Sequence, residues 1–372
     1  MASKLFSPFK MGNLELSNRI VVAPMCQYSA HEGTLTDWHL MHLGQYAVSG
    51  AGLVIVEASG VEAEGRISPG CPGLYSDENE AGMARIVKFF RDYGSAKIGI
   101  QLAHAGRKAS VDFPWNGGKP LSEDNGGWKT CAPSTDAFGP GWPESDAFDA
   151  QGLERIKQAF VQATERAVRV GFDMIEIHAA HGYLMHQFLS PISNKRSDEY
   201  GGSLENRMRF PLEIFEAVRK VAPAEMPVGI RVSATDWVEN EGWTLEQTIE
   251  FAKQLEARGC AYIDVSSGGS SPAQDIDVGP AYQTGFAAEI KRQSGLATMA
   301  VGLITDAIQA ESIIRTGQAD MIALGRGMLY DPRWPWHAAA TLKAEAAFPP
   351  QYQRCHPSLQ GEPVPGNPPT PK

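Results

Sequence analysis

Short apolar runs rich in valine and isoleucine recur along the chain. They are RIVVAPM (19–25), LVIVEAS (53–59), KIGIQLA (97–103), MIEIHAA (174–180), PVGIRVS (227–233), YIDVSSG (262–268), ATMAVGL (297–303) and MIALGRG (321–327). The runs are continuous rather than alternating, which is the pattern of strands covered on both faces, as in a parallel sheet. Helical spacing fills the gaps. TDAIQAESIIRTG offers Thr305 or Asp306 as N-cap, Ala307, Ala310 and Ile314 on one face, and Gly317 as a stop. TLEQ at 244–247 has the form of a capping box ahead of TIEFAKQLEARG. In SLENRMRFPLEIFEAVRKVA, Leu204, Met208, Leu212 and Phe215 share a face, and Pro211 predicts a kink.

Strands alternating with helices over this length predict an α/β architecture, a (β/α)8 TIM barrel. A doubly wound sheet would carry a G-x-G-x-x-G turn after an early strand, and the sequence has none. The connection over about 104–150 is far longer than an ordinary βα loop and is rich in Gly, Pro and Trp, so a cap over the barrel mouth is expected. A single barrel domain is expected over 1–347. The proline-rich tail, 348–372, is expected to end in a dozen or so disordered residues.

Composition narrows the class. Apolar residues make up 43 % of the 372 and charged residues 20 %, enough for a large core under a soluble surface. The net charge of −10 argues against a nucleic-acid partner. No stretch reaches the roughly 18 continuous apolar residues of a membrane helix. The first residues, MASKLFSPFKMGN, hold no apolar signal core, so a cytoplasmic location is expected. None of the cysteines Cys26, Cys71, Cys131, Cys260 and Cys355 stands in a CxxC pair, so neither structural zinc nor an iron–sulfur cluster is signalled.

Chemistry in such barrels sits at the carboxyl ends of the strands. There the sequence places Pro24-Met25-Cys26, Glu57-Ala58, Gln101 to His104, His178 to Tyr183, Arg231, Ser266 to Gly269, Gly302, and Gly325-Arg326-Gly327. Any one of these could be a satisfied rim residue; their concurrence at one rim points to a site. Glycines after the seventh and eighth strands suit a phosphate held by backbone N–H groups, with Arg326 as a charged fork. Arg231 at a strand end calls for an anion to offset its desolvation. EIHAAHGYLMHQF ends a strand in two imidazoles and a phenol. Spacing leaves three readings open. A metal site lacks further ligands, and core packing would bury costly polar groups. In the third reading, His178 and His181 hold a substrate oxygen and Tyr183 gives a proton, as a carbonyl substrate requires.

The sequence resembles the Old Yellow Enzyme family of flavin-dependent ene-reductases from about residue 3 to 340. The matching stretches include SNRIVVAPMCQYSA, VEASGVEAEGRISPG, IQLAHAGRKAS, EIHAAHGYLMHQFLSPISNKRSDEYGGSLENRMRF, GIRVSA and ALGRGML. PMCQY is similar to the subgroup of xenobiotic reductase A and thermophilic-like members. The resemblance implies tightly bound FMN. Its phosphate would lie on Gly302, Gly325 and Arg326, with Val301 beside them where some relatives carry tryptophan. Arg231 would face the N1/C2 edge and Gln101 the pyrimidine ring; Pro24, Met25 and Ala58 would offer backbone groups to the ring system, with Cys26 near O4/N5. His178 and His181 would grip the carbonyl of an α,β-unsaturated substrate, Tyr183 would protonate the α-carbon, and Tyr28 and Lys108 would line the substrate site. NADPH or NADH would act as transient hydride donor in a ping-pong cycle. Nitro compounds are an alternative substrate class, a barrel metallo-hydrolase the remoter one, and a homodimer or homotetramer is expected.

Overall fold

A computed structural model describes residues 2–355 of the chain. The expected disorder at the end of the tail lies outside the described residues. A hairpin of β1 (Phe9–Met11) and β2 (Leu14–Leu16) precedes the barrel. The barrel strands are β3 (Ile20–Val22), β4 (Leu53–Gly60), β5 (Lys97–Ala103), β8 (Met174–Ala179), β9 (Val228–Ser233), β10 (Ile263–Ser266), β11 (Thr298–Ala300) and β12 (Met321–Leu324). β6 (Cys131–Ala132) and β7 (Asp146–Ala147) form a small pair in the insertion between β5 and β8. All barrel pairings are parallel, and the ring closes where β12 pairs with β3, Ile322 opposite Ile20 and Leu324 opposite Val22. The predicted (β/α)8 barrel is the observed one.

Strand parity explains the continuous apolar runs. Ile20, Val22, Val54, Val56, Ile98 and Ile100 point outward into the core shared with the helices. Val21, Leu53, Ile55, Met174, Met299 and Met321 fill the barrel interior, and Met11 and Leu16 of the hairpin join that inner cluster. Each strand is therefore buried on both faces.

The helices α1 (Asp37–Ala47), α2 (Asp77–Tyr93), α3 (Ala150–Val170), α4 (Leu184–Leu189), α5 (Leu204–Val221), α6 (Leu245–Glu256), α7 (Thr284–Ser294), α8 (Ala307–Arg315), α9 (Arg326–Tyr330) and α10 (Trp334–Leu342) connect and surround the strands. Asp306 caps α8 by accepting from Gln309 N at 2.8 Å, and the helix stops at Arg315, two residues before Gly317. The capping box expected at α6 is only half formed. Thr244 Oγ1 accepts from Gln247 N at 3.5 Å, but Gln247 Oε1 is buried without a partner among the described residues instead of reaching back. α5 continues through Pro211. Glu311 on α8 binds the start of the chain, accepting from Ser3 Oγ (2.8 Å), Lys4 N (2.9 Å) and Leu5 N (2.8 Å).

The insertion folds over the rim as expected. Its Phe113 and Trp115 rings lie 6.4 and 5.9 Å from the Tyr28 ring, and Trp128 Nε1 donates to Glu64 O at 2.8 Å. Trp128 and Trp142 pack on the same small cluster as Cys26, Tyr28 and Tyr183. After α10, Phe348 stacks on Trp336 with ring centroids 4.1 Å apart.

Candidate active site

Register decides which side chains meet. His178 pairs with Arg231 across β8 and β9, and Arg231 with Asp264 across β9 and β10. Gln101 pairs with Glu176 across β5 and β8. In-register neighbours on parallel strands point to the same side, so these residues form a buried polar layer at the barrel mouth.

The three residues closing β8 come together. The His178 and His181 rings stand at 89° with centroids 5.3 Å apart, and Tyr183 lies edge-on to His178 at 4.9 Å. His178 Nδ1 accepts from Ala180 N at 3.2 Å, which leaves the proton on Nε2. His181 Nε2 lies 2.7 Å from Ser266 Oγ. Burial, then the Arg231 charge, pushes both imidazoles well below their ordinary range, so each is neutral at pH 7. Burial also raises the Tyr183 phenol well above its ordinary range and keeps it protonated.

Arg231 is buried, and its Nε lies 3.1 Å from Asp264 Oδ2. The anion that Arg231 calls for is thus the protein's own Asp264. Below it, Gln101 Nε2 donates to Glu176 Oε1 at 2.8 Å, and Tyr262 OH donates to Glu176 Oε2 at 2.7 Å. Burial, followed by Asp264, raises the Glu176 carboxyl to about 8. Committing its NH2 to Glu176 orients the Gln101 amide.

Pro24, Met25 and Cys26 follow β3, whose ladder ends early because Pro24 has no N–H to donate. Glu57 holds this segment, accepting from Gln27 N at 2.8 Å and lying 3.3 Å from His39 Nε2; Ala58 is next to it in β4. The neighbouring Cys71 thiol, followed by burial, pushes the Cys26 thiol well above the ordinary range. Tyr28 sits in left-handed backbone (φ +52) under the insertion's aromatic rings. Lys108 donates from Nζ to His181 O and Gly269 O, both at 2.8 Å, with the Tyr183 ring 5.2 Å away. Burial followed by Arg107 lowers its ammonium to about 8.

After β11 and β12, Gly302, Leu303, Thr305, Gly325, Arg326 and Gly327 line a small pocket. Gly302 has φ +121, and a Cβ there would lie 2.7 Å from Gln283 Nε2. The Arg326 side chain is exposed and in no ion pair among the described residues. A backbone hollow beside an unpaired guanidinium fits the phosphate of FMN. Arg231, anchored at the same mouth, fits an electron-rich edge of the ring.

Three contributors were not foreseen. Asp264 reads as an ordinary strand position, Cys71 lies in a loop, and His186 sits among apolar residues of α4, where a lone histidine was the available signal. Among the described residues no group of three His, Cys, Asp or Glu side chains converges as a metal site would require.

The sequence matches the model of the NADH:flavin oxidoreductase / NADH oxidase family over residues 4–345. It is 45 % identical over 356 residues to an NADPH dehydrogenase of Bacillus subtilis (strain 168), covering 95 % of this chain and 99 % of that protein. An NADPH dehydrogenase of Geobacillus thermodenitrificans (strain NG80-2) is 43 % identical with the same coverage. Among solved structures, morphinone reductase aligns with a TM-score of 0.77 and 29 % identity over 96 % of this chain and 93 % of that one. The old yellow enzyme homologue from Zymomonas mobilis aligns with a TM-score of 0.75 and 26 % identity over 92 % and 93 %. With this likeness along nearly its whole length, the chain belongs to the NADH:flavin oxidoreductase / NADH oxidase family and is a flavin-dependent oxidoreductase that uses FMN and NAD(P)H.

Proposed function

We propose that the enzyme reduces the activated C=C bond of α,β-unsaturated carbonyl compounds in a ping-pong cycle, with His178 and His181 as the carbonyl clamp and Tyr183 as the proton donor. The observation that carries this reading is the perpendicular pair of neutral imidazoles with Tyr183 edge-on to His178. FMN, when bound, would supply the chemistry of hydride transfer, taken from NADPH or NADH and passed to the substrate's β-carbon. His178 offers its Nε2–H. We assign His181 the tautomer with its proton on Nδ1, its Nε2 lying 2.7 Å from Ser266 Oγ, so that it offers Nδ1–H. Two neutral donors aimed at one oxygen stabilise the negative charge that develops there. A charged imidazolium would be costly in this buried setting. Tyr183, kept protonated, gives its proton to the α-carbon. Arg231, steadied by Asp264, would place positive charge at the flavin's N1/C2 edge, and Gly302, Gly325 and Arg326, which line one small pocket, would hold the phosphate.

A nitro oxygen fits the same clamp but needs no protonation at carbon, so the placement of Tyr183 favours the enone. The five free cysteines suit a reducing cytoplasm, and no helix among the described residues is long and apolar enough to cross a membrane. Exposed Trp38, Met41, Leu329 and Tyr330 suit a homodimer or homotetramer. Anaerobic titration of the yellow protein with NADPH, then with 2-cyclohexen-1-one, tests the reading. Bleaching followed by stoichiometric return of the oxidised spectrum is expected; a bleached protein that no enone reoxidises refutes it.

A further inference from the structure

The turn that carries the clamp passes through two successive left-handed residues, His181 (φ +59) and Gly182 (φ +73). A non-glycine residue in that conformation persists only where its surroundings hold it. Here all four backbone polar groups of the two residues are held by side chains. His181 N donates to Ser233 Oγ at 2.9 Å, and His181 O accepts from Lys108 Nζ at 2.8 Å. Gly182 N donates to His186 Nδ1 at 2.9 Å, and Gly182 O accepts from Gln187 Nε2 at 2.7 Å. A Cβ on Gly182 would collide with the Gly269 carbonyl, so the turn is also packed closely.

Of these four holders, His186 depends on a further residue. It is fully buried, and its Nε2 lies 2.9 Å from Asp236 Oδ1. Asp236 Oδ2 accepts from Ser190 Oγ at 2.6 Å and Trp243 N at 2.7 Å. Burial alone would raise this carboxyl; His186, Ser190 and Trp243 keep it below the usual carboxylate range. Since Nδ1 accepts from Gly182, the ring proton belongs on Nε2, facing the carboxylate.

We propose that His186 and Asp236 are positioning residues for the reaction: Asp236 selects the imidazole tautomer whose bare Nδ1 holds the Gly182 N–H, and this sets the His181–Tyr183 turn where clamp and proton donor converge on one substrate. The assignment rests on the functional reading above and adds to it the device that fixes the geometry. Neither residue touches the reacting atoms.

Asp236→Asn isolates the tautomer. An amide has one accepting and one donating end where the carboxylate has two accepting oxygens. Trp243 N–H is a backbone donor that cannot change, so the amide oxygen turns toward it. The NH2 then faces His186 and drives the ring proton to Nδ1, where it opposes the Gly182 N–H. The test uses the FMN-loaded enzyme, with phenol as ligand and 2-cyclohexen-1-one as substrate. For Asp236→Asn with full FMN content, 15N-histidine NMR should show His186 protonated at Nδ1. Phenol Kd, read from the flavin spectrum, should rise at least tenfold, and enone kcat should fall more than KM rises. An FMN-loaded Asp236→Asn enzyme with an unchanged tautomer, or with phenol Kd within twofold of wild type, overturns the proposal. If that variant does not fold, His186→Gln decides, since its amide can still donate toward Asp236 but leaves the Gly182 N–H without the Nδ1 acceptor. A severalfold rise in phenol Kd supports turn positioning, and a change within twofold overturns it. If wild type reduces no enone, the functional reading fails, while the phenol and NMR results still judge the dyad.

Discussion

Asp264 Oδ2 lies 3.1 Å from Arg231 Nε, with both side chains buried at the barrel mouth. Burial pushes the Asp264 carboxyl up and Arg231 pulls it back. Asp264→Asn leaves the guanidinium without its counter-charge, and breaking a buried pair from one side costs about 3–5 kcal/mol. Denaturant unfolding should register that loss. The uncompensated charge should also raise the flavin midpoint potential, because it favours the anionic reduced ring; an unchanged potential would place Arg231 away from the flavin.

Tyr183→Phe removes the proposed proton donor and keeps the ring packing against His178. Loss of one general acid is worth roughly 10²–10⁴-fold. Stopped-flow traces should show enone reduction slowed by that order, with flavin reduction by NADPH far less affected. Equal slowing of both half-reactions would remove Tyr183 from the role.

His178→Ala deletes one of the two donors proposed for the carbonyl oxygen. By analogy with a lost oxyanion-hole donor, kcat should fall about 10²–10³-fold. Phenol and enone binding should weaken in parallel, as spectral titration will show. Undiminished binding would argue against the clamp.

Gly302→Ala places a Cβ 2.7 Å from Gln283 Nε2 at φ +121. An alanine there is strained by its backbone as well as its neighbour. FMN affinity should drop, seen as flavin lost on dialysis, while circular dichroism of the barrel is retained.

Glu176, with its carboxyl raised to about 8, makes stability depend on pH. Between the unfolded value near 4.5 and about 8, the folded protein keeps a proton that the unfolded chain has lost. Stability from this group is complete below pH 4.5 and is lost as pH rises through 8. Glu176→Gln mimics the protonated side chain. Its Tm relative to wild type should therefore increase from pH 6 to pH 9; a constant difference would show that Glu176 does not titrate in that window.

Eight continuous runs of β-branched residues made the barrel legible, because two-sided burial leaves little room for polar positions within a strand. The rim was legible for the converse reason: His178, Arg231 and the glycines of the AVGL and ALGRG ends interrupt those runs at one end only. What stayed hidden depends on pairing between distant segments. Arg231 and Asp264 are 33 positions apart, and only the β9–β10 register makes them neighbours. Cys71 meets Cys26 through a loop that carries no pattern, and Lys108 reaches the carbonyls of His181 and Gly269 only once the chain is folded.

The grip of Glu311 on Ser3, Lys4 and Leu5 has a consequence for biosynthesis. Leu5 and Glu311 are 306 residues apart. At translation speeds of about 5–20 residues per second, the beginning of the chain waits roughly 15–60 s for its fastening to emerge. The β3–β12 seam waits as long, so until then the nascent polypeptide is an open ribbon with two exposed edges, and chaperone occupancy should be greatest in that interval.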